Sequence, residues 1–124
     1  MKIINTKKAA QALGHYSQAI VQNNFVFVSG QIPIDPNDGS IPEGIEAQTH
    51  LALSNLKAIL EEAKSSLDKV VKITLFITDI MLWPRANEVY AQVFGQHRPA
   101  RSAVPVVALP KGVLVEIEAI AVLL

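Results

Sequence analysis

Glu116 and Glu118 are the residues whose spacing first suggests chemistry. They lie in the run Val113-Leu114-Val115-Glu116-Ile117-Glu118-Ala119-Ile120-Ala121-Val122. Read as a strand, this run puts both carboxylates on one face, with Leu114, Ile120 and Val122 beside them and their Cα atoms about 7 Å apart. Two carboxylates on an otherwise apolar face are costly if buried without partners. That face is therefore either wet or answered by a cation. Arg101 is the natural cation. It opens the preceding strand, and a turn at Pro110-Lys111-Gly112 would let that strand pair with the last one. A guanidinium holds one planar carboxylate with two parallel hydrogen bonds. That carboxylate can belong to the protein, as an ion pair with Glu116 or Glu118, or to a ligand.

Other residues offer less. Ser29-Gly30-Gln31 ends an apolar strand, where Gly30 permits close approach by a ligand or an unusual φ. Ser29 has no base beside it in sequence and no nucleophile elbow, which argues against a serine triad. Tyr16, in Gly14-His15-Tyr16-Ser17, either presents its phenol to a site or packs with the hydroxyl wet. Asn87 flanks the apolar stripe of a helix, facing solvent or closing a neighbouring subunit's pocket. His15, His50 and His97 lack metal-ligand spacing, so no metal site is expected. The absence of cysteine excludes disulfides, thiolate nucleophiles and zinc–thiolate sites. No phosphate-binding loop, dinucleotide fingerprint or basic-aromatic stripe is present.

These residues must be positioned by a small frame. The length of 124 residues suits one domain, spanning 1–124, that buries about two thirds of its unfolded surface. Eleven basic and eleven acidic residues cancel, so no net field favours nucleic acid or an anionic membrane. The opening residues lack the apolar core of a secretory signal, and the longest apolar stretches are too short to span a bilayer. A cytoplasmic location is expected. Ala19-Ile20-Val21 and Phe25-Val26-Phe27-Val28-Ser29 read as a hairpin across Asn23-Asn24. Between residues 45 and 64, Ile45, Thr49, Ala52, Leu53, Leu56, Ile59, Leu60 and Ala63 form a helical stripe opposite Gln48, Lys57, Glu61, Glu62 and Lys64. A strand over 70–78 should turn Val71, Ile73, Leu75 and Ile77 to one face. Pro84 fits the first turn of a second helix, whose buried stripe is Ala86, Val89, Tyr90, Val93 and Phe94. Ser102 to Val107 and Val113 to Leu123 read as final strands, the former an edge because of Pro105. The order predicts an α+β layer, a mixed sheet with two helices packed on one face. The other face, and the surplus of apolar residues signalled by a positive mean hydropathy, point to another copy of the chain.

The same residues carry a resemblance. Gly14-His15-Tyr16-Ser17-Gln18-Ala19, Val28-Ser29-Gly30-Gln31-Ile32-Pro33, Gln48-Thr49-His50, Asn55-Leu56-Lys57-Ala58-Ile59-Leu60, Val71-Lys72-Ile73-Thr74-Leu75-Phe76-Ile77, Asn87-Glu88-Val89-Tyr90, Pro99-Ala100-Arg101-Ser102 and Val115-Glu116-Ile117-Glu118-Ala119-Ile120-Ala121 together resemble the RidA (YjgF) family of reactive-intermediate deaminases, in its archetypal branch. The resemblance implies a chorismate-mutase-like fold of the bacillar type, assembled as a homotrimer with sites in clefts between subunits. It implies hydrolysis of 2-imino acids and 2-aminoacrylate-type enamines to 2-keto acids and ammonia, with no cofactor. Arg101 would clamp the substrate carboxylate and Glu116 would orient or activate the water. Tyr16, Ser29, Gly30 and Asn87 would line the pocket. Ala103 stands there where many members have cysteine, and His15 where many have proline. The expected partners are a small 2-imino or 2-keto carboxylate and two further copies of the chain. A non-catalytic trimer sensing small carboxylates is the competing reading. RNA cleavage or translation inhibition, assigned to some members, is weakened by the balanced charge.

Overall fold

Asn23 and Asn24 both hold left-handed backbone, with φ of 49° and 70°. That conformation suits the primed turns whose twist matches a tight hairpin. In the computed structural model, which describes residues 1–124, this turn joins β2 (Ala19–Gln22) to β3 (Phe25–Gln31). A short β1 (Lys2–Ile4) adds antiparallel to β2; three residues are too few for a readable alternation. Then follow α1 (Ile45–Glu62), β4 (Val70–Ile77), α2 (Trp83–Phe94), β5 (Ala100–Pro105) and β6 (Val115–Val122). The six strands form one mixed sheet in the order β1-β2-β3-β6-β4-β5. Both helices lie on one face, as the element order predicts.

The sheet differs from expectation in one place that matters for function. β5 does not pair with β6. It pairs in parallel with β4, and β4 pairs antiparallel with β6 on its other side. The cause is the α2 crossover, which returns the chain to the same end of the sheet and sets β5 parallel beside β4. The segment after Pro105 is no tight hairpin: Val106 N donates to Ile77 O, and Thr78 N to Leu114 O, so the chain rounds the end of β4 before entering β6. β5 is therefore an edge, where Pro105 leaves no ladder bond unmade on the inner side.

The core lies between α1 and the inner sheet face, with Leu53, Leu56, Ile59 and Leu60 against Val26, Ile73, Leu75, Ile117 and Ala121. Two details depart from the simple periodicities. A register shift between Val70 and Lys72 turns Val70 inward and leaves Val71 exposed, because one extra residue reverses the side-chain parity. Gln48, expected on the polar side of α1, is buried. Its Oε1 accepts from Leu114 N at 2.7 Å and its Nε2 donates to Pro42 O at 3.0 Å, so it serves as a polar strut between helix, loop and sheet. Asn55 ties the same helix to Ile32 O and Ile34 O. In α2, Ala86, Tyr90 and Phe94 are buried, whereas Val89 and Val93 are only half-buried.

The outer face stays open in the single chain. Ile3, Phe25 and Phe27 are exposed there, with Ile20 and Ile120 partly so. No helix is long and apolar enough to cross a membrane.

Candidate functional site

β6 alternates as its sequence requires: Val115, Ile117, Ala119 and Ala121 point inward, while Glu116 and Glu118 share the outer face. Glu116 is opposite Phe76 and Glu118 opposite Thr74 on β4. On the other side of β6, the β3 register shifts between Val28 and Gln31, which brings the Ser29-Gly30 backbone beneath Glu116. A Cβ on Gly30 would fall 2.9 Å from Glu116 Cδ and overlap a carboxylate oxygen. Glycine at this position leaves that space to the Glu116 carboxylate in the pose seen, and its φ is not positive. Ser29 Oγ donates to Ser17 O at 2.7 Å, so its hydroxyl is already engaged. Tyr16 is exposed, and its hydroxyl accepts from Leu13 N at 3.1 Å, bracing the loop above Gly30. Tyr16, Ser29, Gly30, Glu116 and Glu118 border a cleft of about 460 Å³. Burial raises the Glu116 carboxyl above its ordinary pKa, and the neighbouring charge of Glu118 adds to the rise.

Arg101 stands elsewhere. On β5 it is opposite Ile73, a residue of the inner face, and it reaches toward α2. Its Nη1 donates to Asn87 Oδ1 at 2.8 Å, and its guanidinium carbon lies 4.9 Å from the Trp83 ring centre and 4.7 Å from that of Tyr90. Asn87, Tyr90, Phe94, His97, Arg98 and Arg101 border a second cleft of about 480 Å³. Ala103, two residues along β5 on the same face and opposite Leu75, is exposed.

Within one chain Arg101 forms no ion pair with Glu116 or Glu118, the first of the two alternatives open to it, and the ion pairs formed are Lys57–Glu61 and Arg85–Glu46. The reason is topological. With β4 inserted between β5 and β6, Arg101 shares a face with Ile73 whereas Glu116 shares one with Phe76, and those faces are opposite. The candidate residues thus fall into two groups: Tyr16, Ser29, Gly30 and Glu116 on the outer face, and Asn87, Arg101 and Ala103 on the other. No group of three His, Asp or Glu side chains is placed to hold a metal ion.

The family model described as Endoribonuclease L-PSP, that of the RidA (YjgF) proteins, matches residues 6–123. The chain belongs to this family. A RutC family protein of Pyrococcus abyssi is 53% identical to this RidA-family chain over 121 residues, covering 97% of it and 95% of the relative. TdcF of Escherichia coli, provisionally named a reactive intermediate deaminase, is 47% identical over 124 residues, with 98% and 96% coverage. Its crystal structure with bound serine superposes with a TM-score of 0.96 at 46% identity and covers 98% of both chains. AldR of Lactococcus lactis, provisionally named a regulator, is 47% identical over 122 residues, with 98% and 97% coverage.

Trp83 and Tyr90 beside Arg101 were not among the site residues read from the RidA-family sequence. A signal existed: Trp83, Asn87 and Tyr90 are spaced i, i+4, i+7, which puts all three on one helical face.

Proposed function

We propose that this RidA-family chain hydrolyses 2-imino acids and their 2-aminoacrylate-type enamine tautomers to 2-keto acids and ammonia, in sites completed between subunits of a homotrimer. The sheet's parity carries this reading. Arg101 and Glu116 project from opposite faces of one sheet, so each chain offers a carboxylate clamp and a carboxylate base that only a neighbouring copy can bring together. The exposed Ile3, Phe25 and Phe27 on the outer face supply apolar surface for that assembly. The serine bound by TdcF bears an α-carboxylate like that of a 2-imino acid, which supports a carboxylate clamp.

The chemistry needs little beyond position and one proton carrier. Asn87 occupies one Nη1 hydrogen of Arg101, leaving the Nε–Nη2 edge to take the substrate carboxylate in two parallel bonds. An enamine substrate first takes a proton at carbon and becomes the iminium. The iminium carbon is already electrophilic. A water held by Glu116 attacks it, the new C–O bond forms, and the water's proton passes to the carboxylate. That proton returns to nitrogen. The C–N bond breaks as the remaining hydroxyl proton passes to the Glu116 carboxylate, the carbonyl forms and ammonia leaves, carrying that proton away as ammonium. Neither oxidation nor reduction occurs. The raised pKa of Glu116 suits it both to take and to return a proton. Tyr16 and the Ser29-Gly30 backbone shape the acid half, and Ala103 leaves room beside the clamp.

Imines made in situ by an amino-acid oxidase or a serine/threonine dehydratase test the proposal directly. Ammonia release should accelerate over buffer for at least one side chain. No acceleration for any side chain would favour the second reading, a trimer that senses small carboxylates without turning them over. The name of AldR lends that reading its support. The net charge of zero provides no overall field to draw RNA, so the family model's endoribonuclease name is not the activity proposed here.

A further inference from the structure

A guanidinium on an edge strand is a poor clamp if its long side chain is free to rotate, because each ligand contact must then overcome lost rotamer freedom. Arg101 is not left free. Its guanidinium carbon lies 4.9 Å over the Trp83 ring and 4.7 Å over the Tyr90 ring, and Asn87 accepts from Nη1 at 2.8 Å. All three partners project from one face of α2. That face is itself anchored: Trp83 packs against the core, Pro84 stiffens the first turn, and Arg85 makes two hydrogen bonds to Glu46 at 2.7 and 2.9 Å, fixing the start of α2 to the start of α1. No carboxylate of the chain takes the open edge of Arg101.

We propose that Trp83 is a positioning residue for carboxylate recognition: its indole holds the Arg101 guanidinium in the plane that meets the ligand, so the clamp exists before the ligand arrives. This rests on the reading of Arg101 as the carboxylate clamp. Tyr90 supplies the second ring and Asn87 the stop that orients the fork. Trp83 is the sole tryptophan, so its fluorescence belongs entirely to the clamp. A carboxylate that neutralises the stacked guanidinium should change that emission.

The test uses 2-oxobutanoate as probe and its uncharged methyl ester as control, on the full chain and on the variants Trp83→Phe and Trp83→Leu. In the unmodified protein, 2-oxobutanoate should change the Trp83 emission to saturation and the ester should not. By calorimetry, Trp83→Leu, which keeps apolar bulk without a π face, should bind 2-oxobutanoate about tenfold more weakly, as expected for a partly desolvated cation–π contact. Trp83→Phe should stay within about threefold, since it retains a face. In imine hydrolysis the Trp83→Leu loss should fall on KM rather than kcat. Equal affinity in Trp83→Leu and the unmodified chain, or equal losses in the Phe and Leu variants, would overturn the proposal. Should Trp83→Leu not fold, saturation by 2-oxobutanoate without any emission change would still overturn it. If the probe binds with the expected Trp83 pattern but no imine is hydrolysed, the deaminase reading falls and this inference stands. If the probe does not bind at all, this inference falls with the clamp.

Discussion

At Glu116 stability and function pull in opposite directions. Burial, reinforced by Glu118, raises its carboxyl pKa in the folded chain above the unfolded value. The folded state therefore takes up this proton first as pH falls. Ionised Glu116 opposes folding at neutral pH, and the opposition is relieved as pH falls through the raised value. Glu116→Gln should accordingly raise the Tm at neutral pH, with the gain shrinking toward acid. The same variant should still bind 2-oxobutanoate while imine turnover drops by about a hundredfold or more, the range for losing a general base. For the unmodified protein, kcat/KM should fall on the acid side through a pKa above the ordinary 4.5. An acid limb at or below the ordinary value would remove Glu116 from proton transfer. Arg101 presents the opposite balance. It is exposed and its one polar side-chain partner is Asn87, so Arg101→Ala should remain folded, with a stability change within about 1 kcal/mol. Hydrolysis of carboxylate-bearing imines should nevertheless fall by several orders of magnitude, because position is lost with charge. Arg101→Lys keeps the charge without the fork, and should bind partly but orient badly. Full activity in a folded Arg101→Ala would refute the clamp.

At the scale of elements, the close approach of β3 to β6 permits a sharp test. Gly30→Ala puts a methyl where the Glu116 carboxylate now lies, so either the side chain or the strand must shift. Turnover should drop markedly while Arg101-dependent binding persists, and circular dichroism should report an intact fold. Unchanged turnover would mean that the Glu116 pose is unimportant. Gln48→Leu tests the buried strut. It leaves Leu114 N and Pro42 O without their partner, at a cost of about 1–3 kcal/mol for an unsatisfied buried group, read as a lowered Tm. What was legible at this scale follows from how local each cause is. The hairpin at Asn23-Asn24, both helices and the shared face of Glu116 and Glu118 were readable because turn chemistry and side-chain period are properties of neighbouring residues. The β4–β5 pairing was not, because it depends on where α2 returns the chain, and so the choice between a protein carboxylate and a ligand carboxylate for Arg101 stayed open in the sequence. Val71 was misplaced by a bulge and Gln48 by its buried hydrogen bonds, neither of which leaves a mark in the periodicity. The candidate residues Glu116 and Arg101 could be named from the sequence, but their separation onto opposite faces could not.

For the whole molecule, the proposed site exists only in an assembly. Light scattering at micromolar concentration should give three times the mass of the 13.5 kDa chain, and a monomer would sink the shared-site account together with the trimer. If a working site takes Arg101 from one chain and Glu116 from another, subunit complementation will reveal it. Arg101→Ala and Glu116→Gln, each inactive alone, are unfolded together in equal amounts and refolded. Random assembly then gives about a quarter of the interfaces one intact Arg101 facing one intact Glu116, so turnover should recover to about a quarter of that of the unmodified protein. If the mixture, shown to contain mixed trimers, stays as inactive as its two components, Arg101 and Glu116 do not act across a subunit boundary.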